Sequence, residues 1–307
     1  MFSWRKKCRF GILAATLLLD PAAAAAAELP IIDAHSQIDE RVGLDRVVPL
    51  LDQAGVARVI LSARGRLKSE GIAALARRHP ERVIAAVRTK SRVYADNRPV
   101  YYRLLEDQLR MPEFQAMAEL ILWHAAKGQR APQWVIPAHA PQVRAALAAV
   151  FERGWPAVLH YEFAAAGTAA EGLMAELEGL LRARPGHPFV LTHMGQLDIK
   201  QTRRLIESHA NIHFMPSWSN SITRDISRQP WINLFVGRRL APDWKALIEA
   251  HPERFVLGLD NVFAEHWGDL YVRQVALWRE ALGALPDEAA HAVAHGNAER
   301  LWKLAPL

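Results

Sequence analysis

Short β-branched runs alternate with longer alanine- and leucine-rich segments along most of the chain. Eight runs have the character of strands, at 29–35, 57–63, 82–88, 118–124, 156–162, 188–194, 211–217 and 254–260. The segments between them, such as SEGIAALARRHP and APQVRAALAAVFERG, carry apolar residues at helical spacing. Strand followed by helix, repeated, predicts a parallel sheet covered by helices. Eight such units predict a single α/β domain, a closed (β/α)₈ barrel. A doubly wound open sheet is the alternative, although the first strand lacks the glycine-rich phosphate turn expected after it.

The first 27 residues do not belong to this pattern. A basic start, SWRKKCRF, precedes a short apolar run, GILAATLLL, and a tract of small residues, DPAAAAAAE. This layout is typical of a secretory signal peptide, with cleavage after Ala27. We therefore expect a signal peptide at 1–27, a barrel domain at 28–307, and an exported protein that is periplasmic or secreted. The apolar run is short for a permanent span, so no stable membrane anchor is expected after cleavage; an uncleaved N-terminal anchor is the alternative.

Cysteine and charge exclude some functions. The single cysteine, Cys8, lies in the predicted signal peptide, so the mature chain would have no thiol as nucleophile or metal ligand. Removal of residues 1–27 takes away four basic and one acidic side chain and lowers the net charge from +6 to +3. The remaining arginines are scattered, which argues against a nucleic-acid surface. The expected partner is a small-molecule substrate, and a homo-oligomer remains open.

Polar side chains stand at the carboxyl ends of four predicted strands. His35 and Gln37 follow the first strand, two residues apart and so on one face. His160, His193 and Asp260 close the fifth, sixth and eighth strands, each after three or four apolar residues. The strand ends of a barrel meet at one mouth. Imidazoles and a carboxylate gathered there are suitable ligands for Zn²⁺ or a similar divalent ion.

These motifs resemble the amidohydrolase superfamily, in its amidohydrolase-related (amidohydrolase 2) branch. The resemblance covers nearly the whole mature chain and rests on DAHSQ, LARRHPERVIAAV, LILWH, VLHYE, VLTHMGQ, HPERFVLGLDN and HGNAERLWKL. It implies a (β/α)₈ barrel with one or two divalent ions at its mouth. By motif position, His35 matches the first ligand, His160 and His193 the histidines of strands five and six, and Asp260 the strand-eight aspartate. In the family that aspartate often binds the metal and takes a proton from the attacking water.

Gln37 departs from the family pattern, which has histidine there. A glutamine oxygen is a much weaker Zn²⁺ ligand than imidazole. Three interpretations follow. His35, His160 and Asp260 bind one ion, with Gln37 as a weak or supporting ligand; or Glu162, on the same strand face as His160, supplies the missing ligand; or the site binds no metal and Gln37 contacts substrate. Zinc is the expected ion and manganese the alternative.

Two long connections, 89–117 and 218–253, are expected on the catalytic face, as lids or substrate walls or as extra packing helices. His124 at the end of predicted strand four, with Trp218 and Arg224 of the second connection, is predicted to bind substrate.

The predicted function is metal-dependent hydrolysis of an ester, lactone or amide bond in a small molecule, which the loop arginines and tryptophans suggest is anionic. Asp260 would shuttle the proton of the attacking water, and His193 would stabilise the developing oxyanion or position the carbonyl. Three alternatives remain open. The same site could decarboxylate a small unsaturated or aromatic acid, or the barrel could be metal-free, as a lactonase-like enzyme or as a non-catalytic binding protein.

Overall fold

The computed structural model describes residues 29–307, and the predicted signal peptide lies outside this part of the chain. Among the described residues, none of the helices combines the length and apolar character that a membrane crossing requires.

The strands are short and mostly buried. Their bounds are β1 Ile32–Ile38, β2 Arg58–Ala63, β3 Val83–Val87, β4 Phe114–Met117, β5 Leu120–Ile121, β6 Trp123–His124, β7 Trp134–Val135, β8 Ala157–His160, β9 Phe189–Leu191, β10 Ile212–Phe214, β11 Phe235–Val236 and β12 Arg239–Leu240.

Helices separate most of these strands. The α-helices are α1 Val47–Ala54, α2 Ser69–Arg78, α3 Arg92–Ala95, α4 Pro99–Leu109, α5 Pro141–Arg153, α6 Phe163–Ala166, α7 Ala170–Ala183, α8 Ile199–Ser208, α9 Ser221–Ile226, α10 Pro242–Ala250, α11 Asp269–Leu282, α12 Asp287–His291 and α13 Asn297–Trp302.

The described strands confirm an α/β fold with parallel sheets. One four-stranded parallel sheet has the order β1-β2-β3-β4, and a second has the order β10-β9-β8-β5. All seven residues of β1 are buried, as expected for a parallel strand covered on both faces. The eight parallel strands of the described residues thus form two sheets rather than the single closed ring that the sequence predicted, and β6-β7 and β11-β12 are separate antiparallel pairs.

The predicted eighth strand, 254–260, is irregular, so its assignment as a strand was wrong. It still runs between the two sheets. Val256 N–H donates to the Phe214 carbonyl at 2.9 Å, and Asp260 N–H donates to the His35 carbonyl at 2.7 Å. Asp260 has a left-handed backbone (φ 48°), which aspartate tolerates better than most residues and which ends the extended run.

The buried apolar side chains form two clusters. A large core lies between sheets and helices, and a smaller one lies among the strands themselves, where Ile32, Ile60, Val158 and Val190 pack with Trp302 of the last helix. The inner core fills the space between the strands, so the polar side chains gather where the strands end.

Candidate active site

Five buried polar side chains meet at the carboxyl ends of the strands. His35 and Gln37 come from β1, His160 from the end of β8 and Asp260 from the segment beside β1; the fifth, Glu119, lies between β4 and β5. Each is at most 3% exposed. The structure therefore brings together four of the residues predicted from the sequence and adds a carboxylate that the sequence analysis did not single out.

Gln37 connects two carboxylates. Its amide nitrogen donates to Glu119 Oε1 and to Asp260 Oδ1, each at 3.0 Å. Lys90 Nζ, from the loop after β3, also donates to Glu119 Oε1, at 2.8 Å. Burial alone would raise the pKa of Glu119, but Lys90 and His160 outweigh it and hold that pKa well below its ordinary value. Glu119 is therefore an ionised carboxylate inside the protein.

His35 and Asp260 face one another across the β1 edge. The register between β1 and β2 shifts between Asp33 and Ser36. His35 Nε2 lies 3.4 Å from Asp260 Oδ1 and, among the described residues, has no hydrogen-bond partner although it is buried. Burial lowers the pKa of His35 to about 4, so its ring is neutral at pH 7. Burial, reinforced by the Glu119 charge, raises the pKa of Asp260 to about 7.

His160 is bracketed by two glutamates. Its Nδ1 lies 2.6 Å from Glu119 Oε2, and its Nε2 lies 2.9 Å from Glu162 Oε1. Lys127 Nζ donates to the same Glu162 oxygen at 2.5 Å. Burial disfavours a charged ring, but Glu119 and then Glu162 raise the pKa of His160 above its ordinary value. Both ring nitrogens are therefore placed to donate.

His193 follows β9 in a turn that the sequence interpretation, a strand over 188–194, did not predict. The strand ends at Leu191, and His193, Met194, Gly195 and Gln196 all have positive φ. The His193 N–H donates to Ser217 Oγ at 3.1 Å, and Nδ1 lies 3.0 Å from the same oxygen. Nε2 faces Asp260 Oδ2 at 3.6 Å. Burial lowers the pKa of His193, so a neutral imidazole stands beside the Asp260 carboxyl group.

His160, His193 and Asp260 line a cavity of about 570 Å³. Two of the three predicted substrate contacts, His124 and Trp218, line it, whereas Arg224 lines a neighbouring cavity. Trp231 lines both cavities. The centroid of its ring lies 4.8 Å from that of the His193 ring, and Lys127 Nζ lies over the Trp231 ring, 4.8 Å from its centroid. Further cavity-lining cations are Arg64, Lys90, Arg130 and Arg228.

Three groups of side chains among the described residues have the spacing to hold a metal ion. They are Glu119 with His160 and His193, His124 with His160 and Glu162, and His35 with Glu119 and Asp260. The buried, unpartnered His35 Nε2 beside two carboxylates is a donor set that fits a divalent cation. The structure thus contains residues suited to the metal that the sequence led us to expect.

Comparison with known proteins identifies the class. The amidohydrolase family model matches residues 18–304, so the chain belongs to the amidohydrolase family. No curated protein sequence matches the chain.

Solved structures share the fold at low sequence identity. A 2,6-dihydroxybenzoate decarboxylase from Rhizobium is 16% identical, with a TM-score of 0.54 over 90% of this chain and 98% of that one. A probable 2-pyrone-4,6-dicarboxylic acid hydrolase from Acinetobacter baumannii is 12% identical, with a TM-score of 0.52 over 89% and 99%. An amidohydrolase from Burkholderia multivorans with bound zinc is 13% identical, with a TM-score of 0.53 over 90% and 99%. Both decarboxylases and hydrolases are thus built on this fold.

Sequence analysis missed three residues of the site. Glu119 was assigned inside a strand at 118–124, with His124 at its end. The chain instead forms two short strands, Phe114–Met117 and Leu120–Ile121, with Glu119 between them. Trp123–His124 pairs with Trp134–Val135 in an antiparallel hairpin. Lys90 and Lys127 lie in loops without periodicity. The one available signal was Glu119 itself, a lone acidic residue before the apolar run LILW.

Proposed function

We propose that this protein is a metal-assisted enzyme that hydrolyses an ester, lactone or amide bond of a small anionic molecule. The observation that supports this most directly is the buried contact of His35 and Asp260. An unpartnered imidazole nitrogen stands 3.4 Å from a carboxyl group at the floor of a cavity large enough for a small molecule.

The proposed ion would be a single divalent cation held by His35, Asp260 and neighbouring carboxylates. When bound, it supplies a lowered pKa for a water molecule and polarisation of the substrate carbonyl group. Membership of the amidohydrolase family supports this dependence, since its members are typically metal-dependent.

Asp260 would transfer the proton of the attacking water, and His193 would position the substrate. Asp260 is the proposed shuttle, because its carboxyl group lies within 3.6 Å of both His35 and His193. A carboxylate takes the proton of water and, as the acid, returns it to the leaving group. His193 Nε2 faces the cavity side of Asp260 and would position the substrate carbonyl, while its Nδ1 is held by Ser217.

The cavity walls support an anionic substrate. Arg64 follows β2, Lys90 and Lys127 lie in the loops after β3 and β6, and all three line the cavity. Because Lys90 and Lys127 are paired with Glu119 and Glu162, the exposed Arg228 of the same lining is the cation placed to meet a substrate anion. Trp218 and Trp231, with ring centroids 5.9 Å apart, offer apolar faces. A partly aromatic acid would match this combination of charge and apolar surface.

Decarboxylation is the second candidate on the same observation. Cations around the cavity would hold a carboxylate, and Asp260, whose pKa burial raises to about 7, would return a proton to the carbon that loses CO₂. Solved relatives of this fold include a named decarboxylase and a named probable hydrolase, and so favour neither.

One assay separates the two reactions. Purified protein, stripped of metal and then loaded with Zn²⁺ or Mn²⁺, is incubated with a panel of aryl esters, lactones and hydroxybenzoates. Hydrolysis in H₂¹⁸O would place one ¹⁸O in the acid product, whereas decarboxylation would release CO₂ without incorporation into the organic product. Full turnover after chelation would refute metal assistance, and an Asp260→Asn variant as active as the wild type would refute the proton shuttle.

We also propose that the chain is exported after removal of residues 1–27. Amino-terminal sequencing of the protein from a periplasmic or secreted fraction should begin at residue 28. An intact N-terminus in the membrane fraction would contradict the proposal and favour an uncleaved anchor.

A further inference from the structure

We propose that the ion is held by His35, the Gln37 amide oxygen, Glu119 and Asp260, and that His160 lies outside the coordination. This inference rests on the proposed metal-assisted function and deepens it. It replaces two features predicted from the sequence: Glu119 takes the place of His160, and Gln37 is a full ligand.

The ring nitrogens of His160 and His35 differ in their contacts. Both nitrogens of His160 are within 2.9 Å of carboxylate oxygens, one from Glu119 and one from Glu162. A metal-bound histidine needs one nitrogen free of hydrogen, aimed at the ion, and uses the other as a donor. His35 meets the first of these needs, since its Nε2 is buried without a partner among the described residues. Of the three groups with metal-binding spacing among the described residues, two contain His160 and the third contains His35.

The Gln37 amide lies next to both carboxylates of the proposed set. Its terminal nitrogen lies 3.0 Å from Glu119 Oε1 and 3.0 Å from Asp260 Oδ1, and Asp260 Oδ1 lies 3.4 Å from His35 Nε2. Ligand atoms about 2.0–2.1 Å from a tetrahedral ion are spaced about 3.3 Å apart. Rotation of the side-chain amide by about 180° exchanges the positions of its oxygen and nitrogen. The oxygen would then face two carboxylates, an arrangement that only a cation among them can stabilise.

Glu119 and Glu162 differ in their hydrogen bonds. Lys90 donates to Oε1, and His160 is bonded to Oε2. A carboxylate oxygen has two lone pairs, so Oε1 can keep Lys90 and still face an ion. Rotation of the Gln37 amide would remove its hydrogen bond from Oε1 and leave that site for the ion. Glu162 would keep all three of its donors, Lys127 and His160 on Oε1 and the Ala125 N–H on Oε2.

The proposed set has one nitrogen and three oxygens. Imidazole favours Zn²⁺, whereas carboxylate and carbonyl oxygens suit harder ions such as Mn²⁺. Zn²⁺ still binds more tightly in absolute terms, as it does at most such sites. The distinctive consequence is a ratio of Zn²⁺ to Mn²⁺ affinity that is small in the wild type and rises when an imidazole replaces the amide.

The test measures metal affinity of the full chain by competition with a chelator and by elemental analysis. Glu119→Gln and Glu162→Gln form a matched pair, because both glutamates are fully buried, bonded to His160 and paired with a lysine. Loss of a ligand should weaken binding by at least about 100-fold, beyond the 10–100-fold typical of a supporting partner. We expect that loss for Glu119→Gln and a change below about threefold for Glu162→Gln. His160→Gln should lose about tenfold, as a supporting partner of Glu119.

Gln37→His is a second, independent test of the proposed ligand set. It should raise the Zn²⁺ to Mn²⁺ affinity ratio by roughly tenfold or more. Circular dichroism of each metal-stripped variant checks folding. If Glu119→Gln does not fold, Gln37→Leu carries the test, since removal of the amide should weaken Mn²⁺ binding while leaving the Glu119 pair with Lys90.

The outcomes separate this inference from the proposed function. If the wild type binds one ion per chain and His160→Gln loses as much affinity as Glu119→Gln, or Glu162→Gln loses more, the ligand set is wrong and metal assistance stands. An unchanged affinity in Gln37→Leu would likewise remove the amide from the set. A wild type that binds no divalent ion would overturn both.

Discussion

His213 should make the fold sensitive to acid. This side chain of β10 is 5% exposed, and its Nδ1–H donates to the Phe189 carbonyl at 3.3 Å. Burial, with the charges of Arg300 and Arg254, lowers its pKa from 6.5 to about 4. The folded state therefore resists protonation, so the stabilisation is fully present above pH 6.5 and is lost as the pH falls toward 4. The shift corresponds to about 3 kcal/mol in total and about 2 kcal/mol at pH 5.

Urea unfolding at pH 7.5 and at pH 5 measures this effect. His213→Gln keeps an N–H donor but does not titrate, so between these pH values it should lose about 2 kcal/mol less than the wild type. His139→Gln, at an exposed position, is the control for the replacement itself. Other buried histidines titrate in both proteins and cancel in the difference. Equal losses in the wild type and His213→Gln would refute the reasoning.

Three further substitutions test the packing around the site. Gly195→Ala should lower the free energy of unfolding by about 1–3 kcal/mol, because residue 195 has φ +64° and an added Cβ would lie 2.6 Å from Leu191 Cδ2; an unchanged thermal midpoint would argue against strain. Tyr271→Phe removes a hydroxyl that donates to the buried Asp33 at 3.1 Å and should cost about 1 kcal/mol in urea unfolding, with metal affinity as the control that should not change. Lys127→Met removes one of three donors from the buried Glu162, leaves His160 and the Ala125 N–H, and should cost about 1–3 kcal/mol; a value near zero would mean that the remaining donors and solvent compensate the carboxylate.

Residues that end strands were predictable from sequence. His160 follows the apolar residues 157–159 and ends β8, so the strand itself places this side chain at the mouth. The periodic alternation of strands and helices likewise predicted the parallel α/β architecture. The eighth run, 254–260, was apolar enough to resemble a strand, but its left-handed Asp260 and irregular backbone depend on hydrogen bonds to β1 and β10 that no local pattern specifies.

Strand boundaries limited the prediction of the site. The run from residue 114 to residue 124 is apolar throughout except for Gln115, Glu119 and His124, and its pattern does not specify where the strand turns. Placing the end at His124 made Glu119 an interior residue of no apparent role. The structure places both side chains near His160, Glu119 by a hydrogen bond and His124 by a ring contact of 5.2 Å. Lys90 and Lys127 were beyond sequence reasoning, because their importance comes from the glutamates that face them.

The glutamine at position 37 has a physical explanation in this network. A glutamine amide nitrogen carries two hydrogens, and here one is directed to Glu119 and the other to Asp260. Each nitrogen of an imidazole carries at most one hydrogen, so no single ring nitrogen of a histidine at this position could donate to both Glu119 and Asp260, as the amide nitrogen does. The other carboxylate would lose a partner at a cost of about 1–3 kcal/mol. Gln37, Glu119 and Lys90 therefore depend on one another: with the acidic side chain present at 119, the amide is the better residue at 37. After rotation by about 180°, the same amide presents its oxygen to a cation, so glutamine at this position is compatible with a metal site that also uses His35, Glu119 and Asp260.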